Sequence, residues 1–279
     1  MTRRRDLESH RRSLGEIRNI MNSMKTLAYM ETRKLSRFLD AQHSVIQNIE
    51  KVAQDLLGFH REILPAETEE STSVYILIGT ERGFCGDFNY VLLKHLDSVP
   101  QSNSPDASRL IVVGRKLHTL LEGDARVTAF IEGAGIVEEV TSLLKQVVSE
   151  IINLQKKHGL LTVTCLYHGS QDGVIMQKLL PPFQQYLNHP PPYQHPPTLN
   201  QSPEELLMSL IDHYLFAALH EILFTSLMVE NYHRVAHLEG AVKRLDDKSE
   251  ELTRQCNALR QEEIIEEIEV ILLSSADPL

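Results

Sequence analysis

The stretch LEGAVKRLDDKSEELTRQCNAL, residues 238–259, places a leucine at every seventh position from Leu238 to Leu259, with Val242 and Cys256 on a second, interleaved series. Both series continue towards the middle of the chain. The first consists of Leu210, Ala217, Phe224, Asn231, Leu238, Leu245, Leu252 and Leu259, and the second of Leu207, Tyr214, Met228, Val235, Val242 and Cys256. An apolar repeat with a mean spacing of 3.5 residues predicts a helix that winds around a partner helix.

The partner is predicted at the other end of the same chain. From residue 7, the a positions of a second heptad are Leu7, Leu14, Met21, Ala28, Leu35, Gln42, Ile49 and Leu56. The d positions are His10, Ile17, Met24, Glu31, Phe38, Val45, Val52 and Phe59. Because one chain supplies both helices, we expect a long antiparallel two-helix coiled coil.

Charge is distributed unevenly over a chain of 279 residues with a formal net charge of −10. The overall sign argues against binding to nucleic acid or to an anionic membrane surface. Basic residues crowd the first helix: Arg3, Arg4, Arg5, Arg11, Arg12, Arg18, Lys25, Arg33, Lys34 and Arg37. Acidic residues crowd the last: Glu262, Glu263, Glu266, Glu267 and Glu269. This asymmetry favours attraction between the two helices or contacts with an outside partner.

Three cysteines without a CxxC pair predict neither a disulfide framework nor a zinc site. Residues 1–5 lead into a charged amphipathic pattern, so we expect no signal peptide. The apolar runs are expected to be shorter than the roughly 20 residues that span a bilayer. A soluble protein in a reducing compartment is the resulting expectation.

Between the two helices, the pattern predicts a Rossmann-like α/β domain, so the fold class is α+β. Strands are expected at residues 74–78, 110–113 and 161–167, and helices at 89–96 and 137–155, which implies a parallel or mixed sheet. We divide the chain into an N-terminal helix at 1–64, the α/β domain at 74–180, a Pro-rich connector at 181–203 and a C-terminal helix at 204–279. Ser202 is expected to cap that last helix.

The segment GTERGFCGDFN, residues 79–89, follows a predicted strand and is rich in glycine. It lacks the GK[ST] ending of a P-loop and the spacing of a dinucleotide fingerprint, which favours a structural turn over a phosphate cradle. Cys85 has no sequence feature that would supply a base, so an inert buried thiol is the better interpretation. No catalytic residue, cofactor site or metal site is predicted.

Glu230, His233 and His237 share one helical face, and an ExxH pair is a feature of di-iron bundles. Such a site needs a second ExxH helix. The first helix does not provide one, so solvated or interfacial histidines are favoured.

Several motifs resemble the gamma subunit of rotary F-type ATP synthases, in the same order along nearly the whole chain. Residues 81–89, ERGFCGDFN, are similar to the family's strand-turn signature DRGLCGGFN. Residues 114–116 look like its GRK, and Tyr167 with residues 179–181 like its YN…LLP segment. In the first helix, the family's KIT-x-AM-x-MVA run is matched by Ile20, Met24, Lys25, Leu27 and Ala28.

The C-terminal helix carries the strongest match. Its family motifs EN-x-x-R, NxxRQ and IT-x-EI-x-EI are resembled by Glu230, Asn231, Arg234, Asn257, Arg260, Gln261, Ile264, Glu267, Ile268 and Ile271. Ile265 and Val270 depart from the family's Thr and Glu, and Glu263, Glu269 and the Pro-rich connector are unusual. These departures suggest a divergent branch, such as an alternative ion-translocating ATPase.

The resemblance implies a non-catalytic rotor shaft that couples ATP synthesis or hydrolysis to proton or sodium flow. Implied partners are the alpha and beta subunits of the catalytic ring, the epsilon subunit and the membrane rotor ring of c subunits. It implies a peripheral membrane location on the cytoplasmic face of a bacterial or archaeal plasma membrane. The residues implied to contact a beta subunit are Met24, Lys25, Arg260, Gln261 and Glu267, all expected at one level of the shaft.

Without the family resemblance, the residues are compatible with two other classes of protein. One is a coiled-coil scaffold or tether with an α/β head and no rotary partner. The other, an α/β nucleotide-binding enzyme with helical arms, is weaker because a phosphate loop is lacking.

Overall fold

The computed structural model describes residues 2–64, 71–98, 108–169, 173–188 and 193–275. Along the chain, a central α/β segment lies between two long helices, α1 (Thr2–Phe59) and α5 (Pro203–Ser275). That segment consists of β1 (Thr72–Ile78), α2 (Phe88–Ser98), β2 (Ser108–Val113), α3 (Arg115–Leu120), β3 (Val127–Ile131), α4 (Val140–His158), β4 (Leu161–His168) and β5 (Val174–Leu180).

The ends of the long helices follow local signals. Helix α1 ends at Phe59, five residues before the predicted end, and a 3-10 turn (Arg61–Ile63) follows it. Pro65, the residue that follows the predicted end, lies outside the described residues. At the start of α5, the Ser202 hydroxyl accepts the Glu205 N–H at 3.3 Å, and the Glu205 carboxylate accepts the Ser202 N–H at 3.3 Å. This reciprocal capping box confirms the predicted cap.

The five strands form one mixed sheet in the order β3-β2-β1-β4-β5. β1 pairs in parallel with both β2 and β4, β2 pairs in parallel with β3, and β5 runs antiparallel to β4. The predicted strands and helices of the domain are all present. The structure adds α3, β3 and β5, which the sequence pattern missed because α3 has only six residues and both edge strands are half exposed.

Successive residues of the strands point to opposite faces of the sheet. On one face, Ile76 and Ile111 pack in the larger core with α4 and with parts of α1 and α5. On the other face, Leu77 and Val112 pack with the apolar sides of α2 and α3. Both faces are therefore covered, as a largely parallel sheet requires.

The chain divides into two compact units. Met30–His233 form one, and the residues up to Tyr29 together with those from Arg234 onward form the other. The predicted division at residues 64, 74, 180 and 203 stays a prediction.

The heptad of α5 is confirmed, whereas the a/d seam predicted for α1 is wrong at its d positions. In α5, Leu238, Val242, Leu252 and Cys256 are buried, as the repeat requires. In α1, the d residues Phe38, Val45 and Val52 are 49%, 46% and 44% exposed. The e residues Thr32, Ile46 and Ala53 are buried instead. A straight helix drifts about 20° per heptad against a 3.5-residue repeat, which accounts for the shift of the buried stripe.

One 18-residue window of α5 has a mean hydropathy of 1.4, which by length and composition would suffice to cross a membrane. The expectation that every apolar run is too short is therefore wrong by this measure. Within the structure, 44% of that window is buried. A core helix passes the same test, and this part of α5 contributes Ala218, Leu219 and Ile222 to the core.

Candidate partner-binding surface

A ladder of polar contacts joins the helices in the unit that contains both chain termini. Arg4 Nε lies 3.1 Å from a Glu263 carboxylate oxygen, and Lys25 Nζ lies 3.9 Å from one of Glu239. Between these rungs, the Arg18 guanidinium pairs with the Asp246 carboxylate, and Arg11 Nη1 donates to the Thr253 hydroxyl at 3.5 Å. We call Arg4, Arg11, Arg18 and Lys25 with their partners the interhelix ladder. It confirms that the basic first helix and the acidic last helix attract each other.

Each rung of the interhelix ladder is partly exposed, so it contributes little to the free energy of unfolding. Its larger effect is on geometry, because charged pairs flanking a coiled-coil seam select orientation and register. The four basic residues lie seven apart along α1, and their partners descend along α5. The ladder thus specifies an antiparallel pair in one register.

Outside the seam, the same unit exposes much apolar surface. On α1, Ile20 and Leu27 are 62% and 63% exposed. At the end of α5, the apolar side chains of one run are between 46% and 73% exposed: Ile264, Ile265, Ile268, Val270, Ile271, Leu272 and Leu273. Large exposed apolar patches mark surfaces that bind partners. This run, residues 264–273, is hereafter the apolar end of α5.

The predicted contact residues fall at two levels of this unit. Met24 and Lys25 are partly buried, and Lys25 lies beside Glu239. Arg260, Gln261 and Glu267 are exposed. Arg260 lies 21 residues beyond Glu239 on α5, which at 1.5 Å per residue is about 30 Å along the helix. The two groups are therefore separated along the helix pair, and their contact with a beta subunit stays a prediction.

The residues that resemble EN-x-x-R are buried, which sequence reasoning missed. Glu230, Asn231 and Arg234 are 3%, 1% and 5% exposed, and the Asn231 side-chain amide donates to the Leu227 carbonyl at 2.9 Å. The available signal was the occurrence of these three polar residues close together within an apolar heptad. Among the described residues, no group of three or more metal-ligating side chains converges, and His237 is exposed while Glu230 is buried.

Hydrogen bonds between its two ends close the Gly-rich turn that follows β1. The Asn89 side chain accepts the Thr80 N–H at 3.0 Å and donates to the Thr80 hydroxyl at 2.9 Å. Cys85 is buried, and its thiol lies 3.5 Å from the Gly83 carbonyl. A cavity of about 460 Å³ opens beside the turn, lined by Glu81, Arg82, Arg115, Glu132, Gly133, Gly135, Glu139, Ser142, Leu143 and Gln146.

A second cluster of polar side chains joins α1 to α5. His43 Nδ1 lies 3.1 Å from a Glu221 carboxylate oxygen. Burial raises the pKa of Glu50, as does the nearby Glu221 carboxylate, while a hydrogen bond with Tyr186 and the nearby His43 lower it. Burial also raises the pKa of the Tyr214 hydroxyl in the same cluster.

Glu50→Gln is expected to stabilise the protein at neutral pH. Because the folded-state pKa of Glu50 is raised, its contribution to stability is present below the unfolded-state pKa and is lost as pH rises through the folded-state pKa. The neutral amide avoids this loss and can still accept the Tyr186 hydrogen bond. We expect a gain of about one or two degrees in Tm at pH 7, and none at pH 4.

The matched control for this experiment is Glu122→Gln, because Glu122 is exposed in the same unit. Thermal unfolding at both pH values compares the two variants. An equal gain at pH 4 and pH 7 would show that the charge of Glu50 is not the cause.

Comparisons with known proteins agree with this architecture. A family model described as ATP synthase matches residues 3–276. A Desulfitobacterium hafniense ATP synthase gamma chain is 25% identical over 288 residues and covers 98% of each chain. A Rickettsia felis ATP synthase gamma chain is 22% identical over 290 residues, covering 99% of this chain and all of its own.

Solved structures share the fold. The rotor of the Euglena gracilis mitochondrial ATP synthase contains a chain with a TM-score of 0.59 and 15% identity, covering 94% of this chain and 99% of that one. A chain from the OSCP/F1/c-ring structure of the same enzyme gives a TM-score of 0.62 and 14% identity, with 100% and 97% coverage.

A family match over nearly the whole length shows that the chain belongs to the ATP synthase family. Within this family, relatives that match it over nearly its whole length are gamma chains, and it is a gamma subunit. Gamma subunits are peripheral parts of a membrane-associated complex.

Proposed function

We propose that this chain is the central shaft that couples nucleotide chemistry in a ring of alpha and beta subunits to proton or sodium flow through the membrane sector. The apolar end of α5, together with Ile20 and Leu27, is the observation that carries this proposal. These side chains are largely exposed in the described chain, and a surrounding ring would bury them. The shaft itself is non-catalytic, and ATP is made or hydrolysed on the ring.

Such a shaft couples the sites because three equivalent ring subunits each contact a different face of one asymmetric partner. A ligand or partner shifts a conformational equilibrium only by its differential affinity for the states. The two helices present unequal faces, because basic residues dominate α1 and acidic residues the end of α5. Each ring subunit therefore meets a different surface at any moment, which biases the three catalytic sites into different states.

The remaining partners follow from the family. The α/β segment is proposed to contact the epsilon subunit and the membrane ring of c subunits, without entering the bilayer. The proposed location is the cytoplasmic face of a bacterial or archaeal plasma membrane. The beta-subunit contacts are assigned to Arg260, Gln261 and Glu267 at one level, and to Met24 and Lys25 at another.

Direct observation of rotation tests the proposal. The chain has three cysteines, all buried, so Glu122→Cys would provide an exposed attachment point on the α/β segment. We expect a probe at residue 122 to rotate in one direction when ATP is added to the complex with alpha and beta subunits fixed to a surface. The same complex without ATP is the control. A chain that binds neither subunit, or a complex that hydrolyses ATP with a stationary probe, would favour the scaffold.

A further inference from the structure

The carboxyl ends of three parallel strands converge on one side chain of the Gly-rich turn. In open α/β sheets, ligands bind in the crevice outside these strand ends. β1, β2 and β3 end at Ile78, Val113 and Ile131, and glycine occupies a position just after each of them: Gly79, Gly114 and Gly133. The side chain at this point is Glu81.

The Glu81 carboxylate accepts hydrogen bonds from two different strand ends. One oxygen accepts the Arg115 N–H at 3.0 Å and the Gly133 N–H at 2.9 Å, while the other lies 3.3 Å from Arg115 Nε. The Glu81 side chain is only 14% exposed. Two backbone amides and a guanidinium are donors typical of a bound anion, so the carboxylate fills an anion's place.

Glycine makes this convergence possible. A Cβ on Gly133 would lie 3.0 Å from Glu81 Cβ and 3.2 Å from Gly114 Cα. Glycines of nucleotide-binding turns let the backbone approach a phosphate in the same way. Here they let the strand ends approach a carboxylate that the chain supplies.

The neighbouring crevice is filled as well. The strand order reverses between β1 and β4, which is where a doubly wound sheet would hold its ligand. There the Phe88 ring lies 3.8 Å, centre to centre, from the His168 ring, and His168 Nε2 lies 2.9 Å from the Phe88 carbonyl. Phe88 is 1% exposed and His168 is 4% exposed. Side chains of the protein leave little space for a ligand at this crevice.

We infer that the Glu81 carboxylate is a built-in anion, which takes the position of a ligand phosphate and holds the ends of β1, β2 and β3 together. This inference concerns the α/β segment alone and does not depend on the rotor function. It explains why the turn is as rich in glycine as a phosphate-binding loop but matches no phosphate-binding motif. Glu81 is thus a positioning residue whose charge, and not only its size, is required.

Replacement of this anion by an external one tests the inference. In the full-length protein, Glu81→Ala is expected to lower the Tm, and sodium acetate or formate at about 100 mM should restore at least half of the loss. The adjacent cavity of about 460 Å³ gives a small carboxylate access to the position. Equal concentrations of sodium chloride and of acetamide, which is neutral and of similar shape, should restore much less.

Two further variants keep the test decisive. Glu132→Ala removes a carboxylate that pairs with the same Arg115 at 2.8 Å but is 68% exposed, so acetate should not affect it. Glu81→Gln keeps the size without the charge, and hydrogen exchange at the amides of Arg115 and Gly133 should accelerate at least about tenfold. The inference is overturned if Glu81→Gln exchanges like the parent protein, or if acetate stabilises Glu81→Ala no more than the parent.

Discussion

Arg260→Ala combined with Gln261→Ala is expected to lower the ATPase rate and the ATP-driven ion pumping of the assembled complex about tenfold, while the complex still forms. Both side chains are exposed on α5, so neither contributes to the seam that holds the helices together. A guanidinium and an amide can bond to a loop of a beta subunit that presents carboxylates. Each such contact contributes on the order of 1–3 kcal/mol, and 1.4 kcal/mol corresponds to a factor of ten.

The chain offers a matched control six residues earlier. Arg254 and Gln255 repeat the same dipeptide on α5, and both bond within their own helix, to Glu250 at 3.7 Å and to Glu251 at 3.2 Å. The double alanine variant at these two positions should leave turnover nearly unchanged. Equal losses in the two variants would mean that the effect is general to the helix, and full activity with residues 260 and 261 replaced would refute the assignment.

Gly114→Ala is expected to destabilise the α/β segment by about 3–5 kcal/mol. Gly114 adopts φ +102°, and a Cβ there would lie 2.7 Å from the Gly79 carbonyl oxygen and 2.8 Å from that of Thr80. A strained backbone costs about 1–3 kcal/mol, and a clash in a packed region costs a similar amount again. Loss of soluble protein, or a fall in Tm with faster hydrogen exchange in β1 and β2, would be the measured result.

Gly123→Ala separates the two contributions to that cost. Gly123 also has positive φ, +89°, but a Cβ there would meet nothing within 4 Å. It should therefore show only the backbone contribution, about 1–2 kcal/mol. A Gly114→Ala variant no less stable than Gly123→Ala would show that the strand ends are not packed as tightly as the structure indicates.

The long terminal helices could be predicted from the sequence because their apolar pattern repeats. The heptad of α5 places Leu238 and Leu252 in the seam, and the Ser202 cap marks where the helix begins. Central strands such as residues 74–78 were readable because burial on both faces makes them continuous apolar runs. Edge strands lack that signal, so β3 and β5 were missed.

The candidate site was less predictable, since it depends on register and on contacts distant in sequence. Nothing local to Lys25 indicates that it lies beside Glu239, some 30 Å along α5 from Arg260. The same holds for Glu81, whose hydrogen-bond donors are backbone amides 34 and 52 residues further along the chain. Motif resemblance located these residues in the chain but did not reveal which of them meet.

The interhelix ladder has a mechanical consequence. Three of its four rungs are partly exposed ion pairs, and salt screens such pairs over a Debye length of about 8 Å at physiological ionic strength. Two helices tied at their surfaces by bonds this weak can twist against each other when a load is applied and recover when it is removed. The paired helices would then behave as a torsional spring, whose stiffness falls as the ionic strength of the surrounding solution rises.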